Sequence, residues 1–427
     1  MPGTAITLAG NYSLLVDTGY DVGSFQLDSD IKGLLDGVYP LGPTTDFADV
    51  TSSATEISVR RGRKDIGDQF AAGTMTFTIN DTDGIFNPFD ETSPFYDTAE
   101  ALPGLAPLRN VALIRYDNAD NPEYLYRGKV VNYDYNFALD GIDTVTVYCA
   151  DDFYLLSQTY MDELNVAVET SGERIETVLD LPEVNYPTGA ARDIDAGTVD
   201  LGHDSDYTVP AGTNVLAYLS QINETAEFGR LFMSRAGVLT FTPRIGTTLS
   251  GSVADFDDQG NDVPFTNLGI TFEADAVTNR TLVQNLGEAV ATDDDLTSQS
   301  MFFIQTNSIT NSLLDNSELA NAAAYLLDPY PQPRYNSVET VFGALTTAQR
   351  DTVAIIDIAD TITIEKTFIT GNSTMTLAQE LSVEGVEHQI TLNGHRISLF
   401  TSPTTIVYEL ILDDPLYGTI DEENVLG

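Results

Sequence analysis

"RRGRKDIGDQFAAGTMTFTINDTDGIFNP", residues 60–88, opens on four basic residues within five positions and runs into a strand that ends in an acidic turn. Inside it, "TMTFTIN" (74–80) alternates polar and apolar residues and sets Met75, Phe77 and Ile79 on one face, as in a half-buried antiparallel strand. The same period returns in "DTVTVYCA" (143–150), "VLTFTPR" (238–244), "ADTITIEK" (359–366) and "QITLNGHRISLF" (389–400). In the last of these, Asn-Gly between two strand-like runs is a hairpin signal. Short runs of Val, Ile, Thr, Tyr and Phe between Gly, Asp, Asn and Pro turns predict a mainly β chain.

The 427 residues, 42 % of them apolar and including 20 Tyr and 20 Phe, suffice for several cores and predict roughly two to four domains. No apolar run reaches the roughly 18 residues needed to span a bilayer. The start "MPGTAITLAGNYSLL" lacks the basic region of a signal peptide, so the reading is synthesis in a cytoplasm with no membrane insertion. Sixty-five acidic residues against 19 basic ones give a formal charge of −46, a field that repels phosphate backbones and anionic lipid. Tight nucleic-acid binding is therefore not expected. The single Cys149 rules out an internal disulfide and any multi-Cys metal site, and its strand context predicts a small buried hydrophobe.

Helical spacing appears at "GERIETVLDL" (172–181), at "TNVLAYLSQINETAEF" (213–228) with Thr213 as N-cap, and at "SELANAAAYLLD" (317–328), opened by Ser317 and stopped by "PYPQP". The order is a β region, a small mixed region and a second β region. Composition shifts divide the chain into an N-terminal segment 1–48, a first β domain 49–165, an inserted α/β domain 166–246, a second β domain 247–403 with which the insert can interleave, and an extension 404–427. The acidic, Gly-broken "ILDDPLYGTIDEENVLG" (411–427) reads as an extended segment.

The search for chemistry is mostly negative. His203, His388 and His395 stand in no two-ligand metal spacing. His388 and His395, seven apart, can face each other across the hairpin turn, but without a third ligand they read as polar residues on a sheet surface. No nucleophile elbow or phosphate loop occurs. "NDTDGIF" (80–86) and "DFDDQGND" (255–262) lack the Glu that completes an EF-hand loop and read as acidic turns. With no Trp, a sugar-stacking groove would have to use Tyr. No catalytic, cofactor or metal residue is assigned, and the chain is not expected to be an enzyme.

The opening stretch resembles a signature of minor tail proteins at the tail tips of long-tailed phages: Arg61, Gly62, Arg63, then Phe70, Ala72, Gly73, the strand 74–79, Asn80, Asp83, Phe86 and Pro88. The resemblance continues in order through "LPGLAPLRNVALI" (102–114), "YRGKVVNYDY" (126–135), "ADDFYLLSQ" (150–158), "ERIETVLD" (173–180) and "VLAYLSQINETAEFGRLFMSRAGVLTFTPR" (215–244). It extends over "VTNRTLVQ" (277–284), "AAAYLLDPYPQPR" (322–334) and "LSVEGVEHQITLNGHRISLFTSP" (381–403), covering about 50 to 400. The first 45 residues do not match.

What the resemblance implies is a tail-hub fold: two tail-tube-like β-barrel domains with small inserted α/β domains, assembled as a homotrimeric ring in the virion. Such a ring joins the distal tail tube to a central fibre or spike, and its partners are the distal tail protein ring, the tape measure protein and that fibre or spike. Genome DNA passes without specific binding. Arg60, Arg61, Arg63 and Lys64 are then expected to be assembly contacts on an acidic neighbour, because guanidinium pairs carboxylate in bidentate fashion. With no hydrolase or peptidase region after residue 427, lytic activity is not expected. Competing readings are a hexameric distal tail protein, a host-glycan-binding tail adhesin and an envelope-glycan hydrolase.

Overall fold

The computed structural model describes residues 11–18, 47–64, 69–97, 101–139, 141–202, 207–244, 251–371, 373–403, 408–409 and 424–425. Most of the N-terminal 1–48 and of the acidic 411–427 therefore lies outside the described residues.

The first half contributes β1 (Tyr12–Asp17), β2 (Phe47–Asp49), β3 (Ala54–Gly62), β4 (Ala71–Asp81), β5 (Asn110–Tyr116), β6 (Pro122–Asn136) and β7 (Asp143–Ala150). They pair antiparallel in the order β2-β1-β5-β6-β7-β4-β3. The alternation read from the sequence sets the faces, since Met75, Phe77 and Ile79 of β4 are buried while Thr74 is exposed. Although its sequence does not match the resemblance, β1 is a sheet strand that places Leu14 in the core.

The second half contributes β8 (Ala254–Asp257), β9 (Val263–Pro264), β10 (Asn267–Thr271), β11 (Arg334–Val341), β12 (Thr361–Thr370), β13 (Ser373–Thr391) and β14 (Gly394–Pro403), in the order β10-β11-β14-β13-β12-β8-β9. The Asn-Gly hairpin lies between β13 and β14 as expected.

The chain is mainly β, but the described strands close no separate barrels. They form one 14-stranded sheet. The reason lies in β13, whose 19 residues outrun any single partner. Its first part pairs with β12, and its Gly385–Thr391 part lies between β14 and β3 of the first half. The edge on which each half would close is occupied by the other half, which removes two exposed edges. One hydrophobic cluster accordingly draws on both halves, with Ile57, Phe77, Leu113 and Val147 beside Phe256, Ile364, Val386 and Leu399.

A second cluster holds the helices α1 (Asp152–Gln158), α2 (Ser171–Leu179), α3 (Val215–Ile222) and α4 (Leu319–Tyr325) with the strand pair Arg230–Met233 and Leu239–Thr242. Val283, Leu314 and Ala322 return to it from beyond the second-half strands β8 to β10. The caps differ in part from the sequence reading. Thr170 and Glu173 form a capping box on α2, Asn214 rather than Thr213 caps α3, and Ser317 bonds Asp315 instead of opening α4. Asn214 wins because its side-chain oxygen reaches the Ala217 N–H at 3.0 Å.

Asp151 ties the two clusters together. It caps α1 through the Phe153 N–H at 3.1 Å and accepts the Gly73 N–H of β4 at 2.6 Å. A Cβ on Gly73 would stand 2.6 Å from that carboxylate, which accounts for the glycine in the "AAG" of the opening stretch. Burial pushes the Asp151 carboxyl up to about 7, against the lowering by the two N–H donors. A raised value means that the folded state holds the proton more tightly. The Asp151 contribution is thus full below its ordinary 3.8 and is lost as pH rises to about 7. In urea unfolding between pH 4 and 8, wild-type stability minus that of Asp151→Asn should fall with a slope approaching about 1.4 kcal/mol per pH unit. A flat difference would show that the carboxylate is ionised throughout.

Candidate assembly surface

The basic knot at 60–64 is divided between interior and surface. Gly62 ends β3 with φ +80°, next to a break in the β3–β4 register, and lies opposite Gly385 of β13. Arg61 points inward, 3 % exposed, and pairs with Asp357 while donating to the Met233 carbonyl at 3.4 Å. Arg63 meets Glu384 at 2.9 Å and lies 4.4 Å over the Phe70 ring. Their carboxylate partners come from this chain's own second half rather than from a neighbouring subunit. Arg60, across from Glu387 in the register, is exposed, and Lys64 lies 5.1 Å from the Phe400 ring.

Residues that the sequence reading did not single out complete this seam. Arg230 of the insert donates to Glu384 at 2.8 Å and 3.1 Å, and Ser402 donates to the same carboxylate at 2.7 Å. The Arg235 backbone donates to Asp357 at 2.8 Å, and its side chain reaches Glu123 of β6 at 2.9 Å. First half, second half and insert are thus locked by one set of charges. Burial works against ionisation of Glu384, yet Arg230 and Arg63 outweigh it and hold the carboxyl below its usual range. The signal in the sequence was a charge set among apolar strand residues: Glu384 between Val383 and Val386, and Arg230 in "GRLFM".

Two hairpins carry apolar side chains into solvent. Between β6 and β7, Phe137, Leu139 and Ile142 are exposed, and Phe137 continues a stack with Tyr135 at 6.0 Å. Between β12 and β13, Ile369 is 84 % exposed and Met375 51 %. The residues Ser373–Ala378 of β13 are exposed on both faces, so this arm stands clear of both cores. A two-stranded hairpin alone is marginal in water, and this arm carries bare apolar residues on both faces.

The histidines are placed otherwise than expected. His388 and His395 do face each other, with Nδ1 of His388 3.0 Å from Nε2 of His395, but both are buried instead of lying on a sheet surface. They turn inward because β13 and β14 are covered there by Tyr12 and Phe342, and the Tyr12 hydroxyl lies 2.7 Å from His395 Nδ1. Burial pushes His395 down to about 3, with Arg115 adding to the effect, and pushes His388 down as well. His203 lies outside the described residues. Cys149 is buried in β7. The acidic turns are held from within, since Asp81 accepts the Phe86 N–H at 3.1 Å through one oxygen and Asp257 accepts those of Gly260 and Asn261 at 3.1 Å and 2.9 Å. Among the described residues, no group of three or more His, Cys, Asp or Glu side chains is arranged to hold a metal ion, and no helix is long and apolar enough to cross a membrane.

This arrangement, a joined pair of seven-stranded sheets with an inserted α/β cluster, matches solved structures along nearly its whole length. The 43 kDa tail protein of prophage MuSo2 from Shewanella oneidensis superposes with a TM-score of 0.54 over 93 % of this chain and 97 % of that one, at 10 % identity. The chain has the fold of phage tail proteins. A tail protein from Neisseria meningitidis MC58 matches equally well, with a TM-score of 0.54, 12 % identity, and 92 % and 97 % of the two chains covered. No family model matches the sequence, and no curated protein matches it.

Proposed function

We propose that this chain is a structural virion protein of a phage tail, forming a homotrimeric hub ring at the tail tip that joins the distal tube to a central fibre or spike. The observation that carries this reading is the tail-protein fold spanning more than nine-tenths of the chain. In this reading the two seven-stranded halves are the two tube-like units of each subunit, so three copies present six to a hexameric tube. The apolar arms at 137–142 and 369–377 pack on neighbouring subunits, and Arg60 and Lys64, unlike the two inward arginines, remain available to an acidic neighbour. The distal tail protein ring, the tape measure protein and the fibre or spike are the proposed partners. A net charge of −46 suits a ring through which DNA passes without adhering.

Native mass spectrometry of the full chain at micromolar concentration tests this, with three copies as the expected result. Six copies would favour the distal ring instead, and a monomer that persists at high concentration and with its tail partners present would overturn the reading. Ile369→Ser with Met375→Ser should weaken assembly roughly tenfold or more per anchor removed while leaving the unfolding midpoint unchanged, because the arm lies outside both cores.

A further inference from the structure

A cavity of about 420 Å³ opens where β1 and β5 of the first half meet the β13–β14 turn and the segment 342–350 of the second. In a chain with only 19 basic residues, two guanidiniums line it, those of Arg115 and Arg350. The Arg115 side chain is 9 % exposed, and its Nη2 pairs with Asp351 at 2.7 Å. Its Nη1, buried on the side of the Tyr12 hydroxyl, meets no acceptor within hydrogen-bond geometry among the described residues. A buried donor left this way is held at a desolvation cost that an acceptor reaching it would relieve. Arg350 uses Nε on the Phe342 carbonyl at 2.7 Å and forms no ion pair among the described residues.

We propose that this cavity binds a monosaccharide-sized ligand bearing one carboxylate, an acidic sugar, with the carboxylate on Arg115 and Arg350. Guanidinium pairs carboxylate through charge-assisted hydrogen bonds. The balance of charge selects a monoanion over a phosphate dianion: Asp351 already compensates Arg115, Asp117 is engaged by Ala119 and Asn121 of its own turn, and Arg350 is left as the single uncompensated cation among the described lining residues. Three further lining side chains, Asn11, Asn118 and Asn393, offer the amide donors and acceptors that hydroxyls need, and the volume falls in the range of small-molecule sites. The Tyr12–His395 pair and Phe342 form an uncharged wall. This inference stands independently of the tail-hub reading.

Titration calorimetry of the full chain at low ionic strength, with D-glucuronate, D-glucose and D-glucose 6-phosphate as separate probes, tests it. The expected result is saturable binding of glucuronate, none of glucose, and weaker binding of the phosphate sugar. Arg350→Gln, whose side chain is partly exposed, should weaken glucuronate binding about tenfold or more, with folding verified by circular dichroism because the bond to the Phe342 carbonyl is also lost. Arg115→Gln should do the same, with folding verified by circular dichroism. Absence of glucuronate binding, equal binding of glucose, tighter binding of glucose 6-phosphate, or an Arg350→Gln variant that binds like wild type would each overturn the proposal.

Discussion

Replacing Glu384 with Gln is expected to lower the unfolding free energy at pH 7 by about 3–5 kcal/mol, because it leaves Arg230 and Arg63 beside a neutral amide inside the seam. The carboxylate is 1 % exposed and accepts from Arg63, Arg230 and Ser402, so water cannot take its place without parting the two halves from the insert. The pH dependence follows from the depressed carboxyl. Its stabilising contribution is present above the ordinary 4.5 and is lost as pH falls through the lower folded value. The gap between wild type and Glu384→Gln should therefore narrow on acidification below about pH 4. Adding Arg230→Met to Glu384→Gln should restore part of the loss, since an apolar replacement removes the uncompensated charge. Guanidinium unfolding at pH 7 and pH 3.5 measures both effects, and a loss below about 1 kcal/mol would mean that the seam charges are solvated.

Gly62→Ala is expected to be at least as damaging, by about 4 kcal/mol or more, through a wholly different cause. At φ +80° an alanine carries backbone strain of about 1–2 kcal/mol. Its Cβ would also stand 2.2 Å from the Glu384 carbonyl oxygen and 2.7 Å from the Gly385 Cα, both backbone atoms that cannot swing away. The seam must then open where the Arg63 N–H meets the Glu384 carbonyl at 2.9 Å. Gly84→Ala is the control: it has φ +71° with nothing within 4 Å of the new Cβ, so only the strain of about 1 kcal/mol remains. Hydrogen exchange at Arg63 together with urea midpoints separates the two cases. Equal losses in both variants would show that the seam tolerates the methyl group.

Much of this architecture was legible because it rests on local periodicity. Alternation over 74–80 fixed which side of β4 faces inward, and Asn393-Gly394 fixed the last hairpin, since a two-residue period and a turn residue are properties of the chain alone. The Arg61-Gly62-Arg63 turn was also visible, but not its purpose. Its basic residues were expected to seek an acidic neighbour, whereas Asp357 and Glu384, roughly 300 residues away in the chain, come back to them.

The sequence by itself determined a mainly β chain with an inserted helical unit, the faces of its strands, and a strongly acidic composition. Tertiary structure alone decided that the halves join into one sheet, because the shared edge depends on how far β13 runs past β12 and on which strand meets the excess. It also decided that two histidines lie inside and that Arg115 and Arg350 converge on one cavity. Burial and long-range pairing are set by what the whole fold brings together, and no short window of residues contains that information.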